Sequence, residues 1–311
     1  MNGIQKVIKY CAMAFAIFLA VTILGSIIAV VGGITVGIAG VNSLMPDYND
    51  RIHLEEKYTM DEVKSMGITS ILIDCSAEIS VVQGDILSID AVDVTDEYEI
   101  RCEKGEFSIV QDRDNVYLFQ FPWLEDVTIQ EKVVVTIPTE YCPERVMIKS
   151  GSGRVSVADL ETARLCVDSG SGKVTMKNVI ATTTELETGS GSVEVEGTGF
   201  GQLVMKSGSG RVNMKDVVAY DAKFDSGSGA VVYEGELTGN CEFETGSGSL
   251  TLKVDGQEED YRIKAECGSG TFRINGKRVD DGSYGTNVKG EFVIDSGSGS
   301  VNVTFHSPEA E

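Results

Sequence analysis

The sequence predicts an all-β fold, a single-stranded parallel β-solenoid (β-helix) of ~19-residue coils, preceded by one N-terminal transmembrane helix. Three observations predict it. An [S/T/C]-Gly-Ser-Gly tetrapeptide recurs at nearly constant spacing, apolar residues alternate with period two on both sides of it, and residues 10–46 carry no charge.

The uncharged run comes first. A spanning helix needs about 20 apolar residues to cross a ~30 Å hydrocarbon core, and the densest stretch runs from Cys11 to Val31. The expected organisation is a cytoplasmic N-terminus at 1–9, a transmembrane signal-anchor at 10–36 and a juxtamembrane connector at 37–65, the last including the polar helix-like LEEKYTMDEVKSM. Lys6 and Lys9 precede the run and Asp47, Asp50 and Glu55 follow it, so the positive-inside rule places the N-terminus in the cytoplasm and the remainder outside the cell membrane. A cleaved signal peptide is the alternative, but its apolar region would be shorter and would end in a small-residue site.

The repeat follows. [S/T/C]-G-S-G occurs eight times, with first glycines at Gly151, Gly170, Gly189, Gly208, Gly227, Gly246, Gly268 and Gly297, at intervals of 19 five times, then 22 and 29. The second glycines are Gly153, Gly172, Gly191, Gly210, Gly229, Gly248, Gly270 and Gly299. Counting from each first glycine as zero, position −3 holds Ile148, Val167, Leu186, Met205, Phe224, Phe243, Ala265 and Ile294, and positions +4 and +6 are apolar throughout. Steps of two are strand periodicity. Position −2 is always charged: Lys149, Asp168, Glu187, Lys206, Asp225, Glu244, Glu266, Asp295. Each unit therefore reads as strand, glycine corner, strand and return, the glycines admitting backbone conformations closed to residues with a Cβ. One coil cannot bury its apolar positions alone, but stacking at about 4.8 Å buries them in ladders. The crossover rule favours a right-handed solenoid. The regular part spans 148–305, with an acidic tail at 306–311. Residues 66–147, rich in β pattern but without the corner motif, form an irregular N-terminal cap. The longer intervals place loops around Asp255–Asp260 and Gly276–Gly290, and the final coil, SVNVTFHSPEAE, is expected to expose its edge.

The block SILIDCSAEISVVQGD, the segment VVVTIPTEYCPERVMIKSGSGRVSV, the serial SGSG coils and the closing GKRVDDGSYGTNVKGEFVIDSGSGSVNV together resemble the putative-adhesin β-strand-repeat family, a domain of unknown function. The resemblance covers about 66–305 and defines a repeat rather than a chemistry. It implies a membrane-anchored Gram-positive protein, and some relatives belong to cell-envelope stress systems that respond to antimicrobial peptides.

Candidate chemistry is sparse. Net charge is −22, which repels phosphates and argues against nucleic acid. The two histidines, His53 and His306, lie far apart in sequence and outside the repeats, so no Ser/His pair activates the corner serines. Lys149 and Lys206 interrupt the column that periodic Ca²⁺ binding would need. The glycine corners open strands rather than helices, unlike phosphate-cradling loops. No cofactor, metal ligand or catalytic residue is assigned. Arg154, Lys173 and Arg211 beside Asp168 and Glu187 could serve a carbohydrate-active enzyme only if gathered in a desolvated cleft. The run Asp225, Glu244, Glu266, Asp295 is the candidate stripe for a cationic partner, because like charges at ladder spacing are unfavourable unless solvated or compensated. Of seven cysteines, only Cys75 and Cys102 are placed to pair. Cys241 and Cys267 read as small core residues on adjacent coils but out of register.

The expected function is a non-enzymatic extracellular interaction module, adhesin-like or related to envelope stress. Its partners would be the membrane and a cationic peptide, a cell-wall component or another envelope protein. A carbohydrate-active β-helix enzyme and a structural spacer for a membrane partner are the alternatives.

Overall fold

The computed structural model describes residues 51–112, 130–286 and 288–306. The repeats do stack as parallel layers. β8 (Arg145–Ser150) leads to β9 (Val155–Ala158), and β10 (Glu161–Ser169) to β11 (Val174–Lys177). β12 (Ile180–Thr188), β13 (Val193–Ser207), β14 (Val212–Tyr220), β15 (Ala222–Ser226) and β16 (Ala230–Thr245) continue the climb. Every neighbouring pair is parallel, with a 19-residue offset except in β14–β16, where the register shifts after Met214 and Val217 stands opposite Gly235: Val174 stands between Val155 and Val193, and Leu186 between Val167 and Met205. Apolar positions −3, +4 and +6 thus form continuous buried columns. Each fully buried Val, Leu or Phe in them contributes about 1.5–3 kcal/mol over exposure.

The order of layers is not the order of the chain. β17 (Ser249–Asp255) completes the layer of Gly246. The chain then forms β18 (Tyr261–Cys267) and β19 (Thr271–Ile274), followed by the short strands β20 (Lys277–Val279) and β21 (Gly282–Gly285). It returns as β22 (Gly290–Ser296) and β23 (Ser300–His306). β22 lies between β16 and β18, and β23 between β17 and β19, so the layer of Gly297 is inserted between those of Gly246 and Gly268. The expected exposed edge at the final coil is therefore corrected: β23 is paired on both sides, and the outer side of β18 and β19 is covered by β21 and β20 running antiparallel. The long 29-residue interval supplies the chain needed to cap the outer layer and climb back. Packing favours this order. Phe292 sits 5.9 Å from Phe243 and 4.9 Å from Tyr261, whereas the outer layer holds Ala265 opposite Gly282, small enough for β21 to close over it.

The other end repeats the device. β2 (Ser70–Asp74) and β3 (Glu78–Gly84) form a layer between β8–β9 and the layer of β6 (Glu106–Gln111) and β7 (Lys132–Pro138). β4 (Leu87–Val94) pairs antiparallel with β7, β5 (Tyr98–Glu103) with β6, and β1 (Ile52–Tyr58) with β4. Residues expected as a connector thus contribute an edge strand. Helix α1 (Met60–Met66) follows, held by a Thr59–Glu62 capping box and ended by left-handed Gly67.

The fold-class expectation is corrected in one further respect. The span expected at 10–36 lies outside the described residues, and among the described residues no helix is long and apolar enough to cross a membrane. Helix α1, with seven residues including Asp61, Glu62 and Lys64, is too short and too polar to reach across a ~30 Å core. The described residues are all-β apart from that short helix and a single 3₁₀ turn at Glu258–Asp260.

Candidate functional site

The sixteen motif glycines line up along one corner of the tower, and their role differs from the one the sequence suggested. None has a positive φ. All but Gly151 are required because stacked layers touch there: a Cβ on Gly172 would lie 1.9 Å from the Gly153 carbonyl oxygen, and one on Gly210 1.8 Å from that of Gly191. The close approach lets the hydrogen-bond ladder run through the corner, Ser171 N–H donating to Gly151 O at 2.9 Å and Ser190 N–H to Gly170 O at 2.9 Å. The preceding Ser or Thr hydroxyl is buried inside the bend, as where Ser150 Oγ donates to Gly153 O at 3.3 Å. The left-handed corner is elsewhere, at Asp159, Asn178, Gly197 and Asp216, eight residues after each first glycine, with φ between 52° and 62°. Asn178 Nδ2 donates to Asp159 Oδ1 of the layer below at 2.9 Å. The run of Asp, Asn and Gly at one position in four repeats was its readable signal.

The charged column runs Asp74, Lys149, Asp168, Glu187, Lys206, Asp225, Glu244, Asp295, Glu266. The four acidic residues singled out from the sequence are contiguous and exposed, with Asp295 and Glu266 exchanged in order. Below them the column is mixed in sign, and Lys206 Nζ lies 3.4 Å from Glu185 and 3.6 Å from Glu187. Among the described residues one cation forms an ion pair with the acidic run: Lys223 Nζ, 2.8 Å from Glu242 and 3.8 Å from Glu244. Hydrogen bonding to Glu242 raises the Lys223 pKa. Asp225, Asp295 and Glu266 take part in no ion pair among the described residues. Beside this column the corner of the same four layers opens into a shallow groove of about 510 Å³. Its walls carry hydroxyls at every position but one, with Ser228, Ser247, Ser298 and Ser269 in one row and Ser249, Ser300 and Thr271 beside the methyl of Ala230 in the next. Ser269 Oγ and Ser298 Oγ stand 3.1 Å apart.

The corner hydroxyls have no histidine beside them, since His53 Nε2 meets Asp90 at 2.6 Å and His306 ends β23. Arg154, Lys173 and Arg211 stand on the corner ridge rather than in a cleft, Lys173 Nζ lying 2.6 Å from Glu194. Burial pushes the thiols of Cys102, Cys142 and Cys267 up and that of Cys241 to about 12, so none is poised as a thiolate. None of the six cysteines outside the N-terminal run forms a disulfide, Cys75 and Cys102 included. Cys241 and Cys267 are not on adjacent layers, because the layer of Phe292 separates them. No group of metal-ligating side chains occurs among the described residues.

The repeat and its corner decide the family: residues 68–306 match Toastrack DUF4097. The chain belongs to the Toastrack family. Solved structures similar to this Toastrack chain include a putative lipid binding protein from Parabacteroides distasonis, with 16% identity, 82% of this chain and 97% of that chain covered, and a TM-score of 0.47. A putative adhesin from Bacteroides fragilis has 11% identity, coverage of 81% and 97%, and a TM-score of 0.40. A putative cell adhesion protein from Clostridium sporogenes has 15% identity, coverage of 82% and 100%, and a TM-score of 0.29. No curated protein matches the Toastrack chain.

Proposed function

We propose that this Toastrack chain is a non-enzymatic, adhesin-like interaction module that recognises a cationic partner through its acidic column. A basic peptide, a cationic cell-wall component or the basic face of an envelope protein would fit. The observation that carries the reading is the contiguity of Asp225, Glu244, Asp295 and Glu266 over four layers of a rigid ladder. Fixed carboxylates about 4.8 Å apart repel one another, and a polycation relieves that repulsion while the exposed setting spares it desolvation. The net charge of −22 steers cations toward the surface in general, and the column gives them a register.

The test is the fourfold variant Asp225→Asn, Glu244→Gln, Asp295→Asn, Glu266→Gln, measured against a lysine-rich peptide by calorimetric titration at low and at physiological salt. Affinity is expected to fall at least tenfold, with a shallower salt dependence, while the same number of neutralisations at exposed acids near the other end (Asp85, Asp96, Glu103, Glu140) leaves it within about twofold. Equal losses in both variants would reduce the column to bulk charge and end the proposal.

A further inference from the structure

Two columns of the glycine corner change character at the same layer. In the lower layers, of Gly151 to Gly208, the position three residues after the first glycine holds Arg154, Lys173, Ser192 and Arg211. In the upper four it holds Ala230, Ser249, Ser300 and Thr271. The column two residues before the glycine turns wholly acidic in those same layers. Cations and long side chains thus leave the corner together, between Lys206 with Arg211 and Asp225 with Ala230. The space they leave is the groove of about 510 Å³, with glycine backbone for a floor and small hydroxyls for walls.

Behind the floor lie hydroxyls that are not engaged. Ser226, Thr245 and Ser296, each one residue before the corner, are 2%, 7% and 1% exposed. Their hydroxyl oxygens have no hydrogen-bond partner among the described residues. They face the floor from inside, Ser296 Oγ lying 3.4 Å from where a Cβ on Gly299 would stand. In the layers of Gly151 and Gly208 the equivalent hydroxyl is engaged, Ser150 Oγ donating to Gly153 O at 3.3 Å and Ser207 Oγ to Gly210 O at 3.4 Å. Ser169 and Thr188 are unpartnered as well, but an ammonium of the chain itself spans their two layers, Lys173 Nζ reaching Glu194 of the next layer at 2.6 Å. Buried hydroxyls ordinarily find a partner. An unengaged one is a dipole free to turn its oxygen toward a positive charge nearby, and low local dielectric strengthens the attraction. The upper layers have the dipoles, the carboxylates and the room, with no Lys173 of their own at the corner.

Spacing selects among cations. The carboxylates of Asp225, Glu244, Asp295 and Glu266 recur at the layer repeat of about 4.8 Å. Two ammonium groups joined by three methylenes stand about 5 Å apart when extended, with bonds of about 1.5 Å. Lysines on one face of an extended peptide recur only at about 6.8 Å. Walls of hydroxyls and one methyl, without an aromatic ring, suit a slim aliphatic chain with N–H donors along it. We propose, building on the reading of the acidic column as a cation site, that the groove binds a linear aliphatic polyamine with three-methylene spacing. It lies along the tower axis with one ammonium per layer, donating to the carboxylates on one side and to the wall hydroxyls on the other. Arg273, whose Nη1 donates to Thr271 Oγ1 at 3.4 Å, places a positive charge at the outer end and sets where the guest stops.

The test titrates the full chain calorimetrically with two tetraamines of equal charge, one with three methylenes between nitrogens and one with six, and with a lysine-rich peptide. The three-methylene tetraamine is expected to bind saturably, one per chain, and at least fivefold more tightly than the six-methylene one. Ser249→Gln with Ser300→Gln fills the groove without altering charge, at a column where the lower layers already carry Lys and Arg. Its melting temperature should stay within about a degree or two. Tetraamine affinity should fall at least tenfold in it, and peptide affinity should stay within about threefold. Equal affinity for the two tetraamines, or unchanged tetraamine affinity in the groove-filling variant, would overturn the polyamine proposal. The column reading survives that result if the peptide still loses affinity in the fourfold acidic variant. Full retention of both ligands by the fourfold variant would end both.

Discussion

Ending the chain after Lys289 is expected to release two layers, although it deletes the strands of only one. Removal of β22 and β23 takes Phe292, Ile294, Val301 and Val303 out of the core, at about 1.5–3 kcal/mol each. It also leaves β18 and β19 with no parallel neighbour, because their partners in the tower are β22 and β23. Tyr261 loses its ring contacts to Phe292 at 4.9 Å and Phe305 at 5.2 Å. Hydrogen exchange of the truncated chain should show residues 261–274 unprotected and 145–245 still protected. A solenoid stacked in chain order would give the reverse at the critical place: 261–274 would stay protected, since only an outermost coil had been lost.

Substituting Gly210 by Ala is expected to destabilise the tower by about 3 kcal/mol, a fall in melting temperature of roughly 6–12 °C for a domain of this size. The new Cβ would stand 1.8 Å from the Gly191 carbonyl oxygen and 2.9 Å from its carbon. Backbone cannot yield as a flexible side chain does. The layers must part, and the bonds from Gly208 N–H to Thr188 O and from Ser209 N–H to Gly189 O, both 3.0 Å, open with them. Because each layer contacts only its neighbours, the break weakens the coupling between the two halves. Ser209→Ala, one residue away and exposed, should leave calorimetric melting within about a degree or two. Equal melting of the two variants would show that the corner does not depend on close backbone approach.

Much of this architecture was legible because spacing reports equivalence. Five intervals of 19 residues place Val155, Val174, Val193, Val212 and Val231 in one column, and no other arrangement buries them all. Spacing does not report adjacency. Intervals of 22 and 29 are as compatible with a surface loop as with a change of layer order, and the choice rests on which rings fill which gap, as Phe292 does between Phe243 and Tyr261. The motif glycines were found but their reason was misread, since glycine serves equally for a left-handed turn and for backbone contact, and only the layer beneath tells which applies. At the N-terminal end, Ile52–Tyr58 alternates too weakly to announce a strand, and its pairing with β4 supplies the order. The acidic column was readable as a set, though not in its sequence along the tower.

The exchange of the last two layers is the claim most directly open to measurement. Two double variants, Glu244→Cys with Asp295→Cys and Glu244→Cys with Glu266→Cys, are oxidised under mild conditions and their linked peptides mapped by mass spectrometry. Glu244 pairs with Asp295, and Asp295 with Glu266. The first pair is therefore one layer apart, within the 4.4–6.8 Å Cα span of a disulfide, and the second about 10 Å apart, outside it. The first variant is predicted to cross-link and the second to remain reduced; a bond between positions 244 and 266, with none between 244 and 295, would contradict the account.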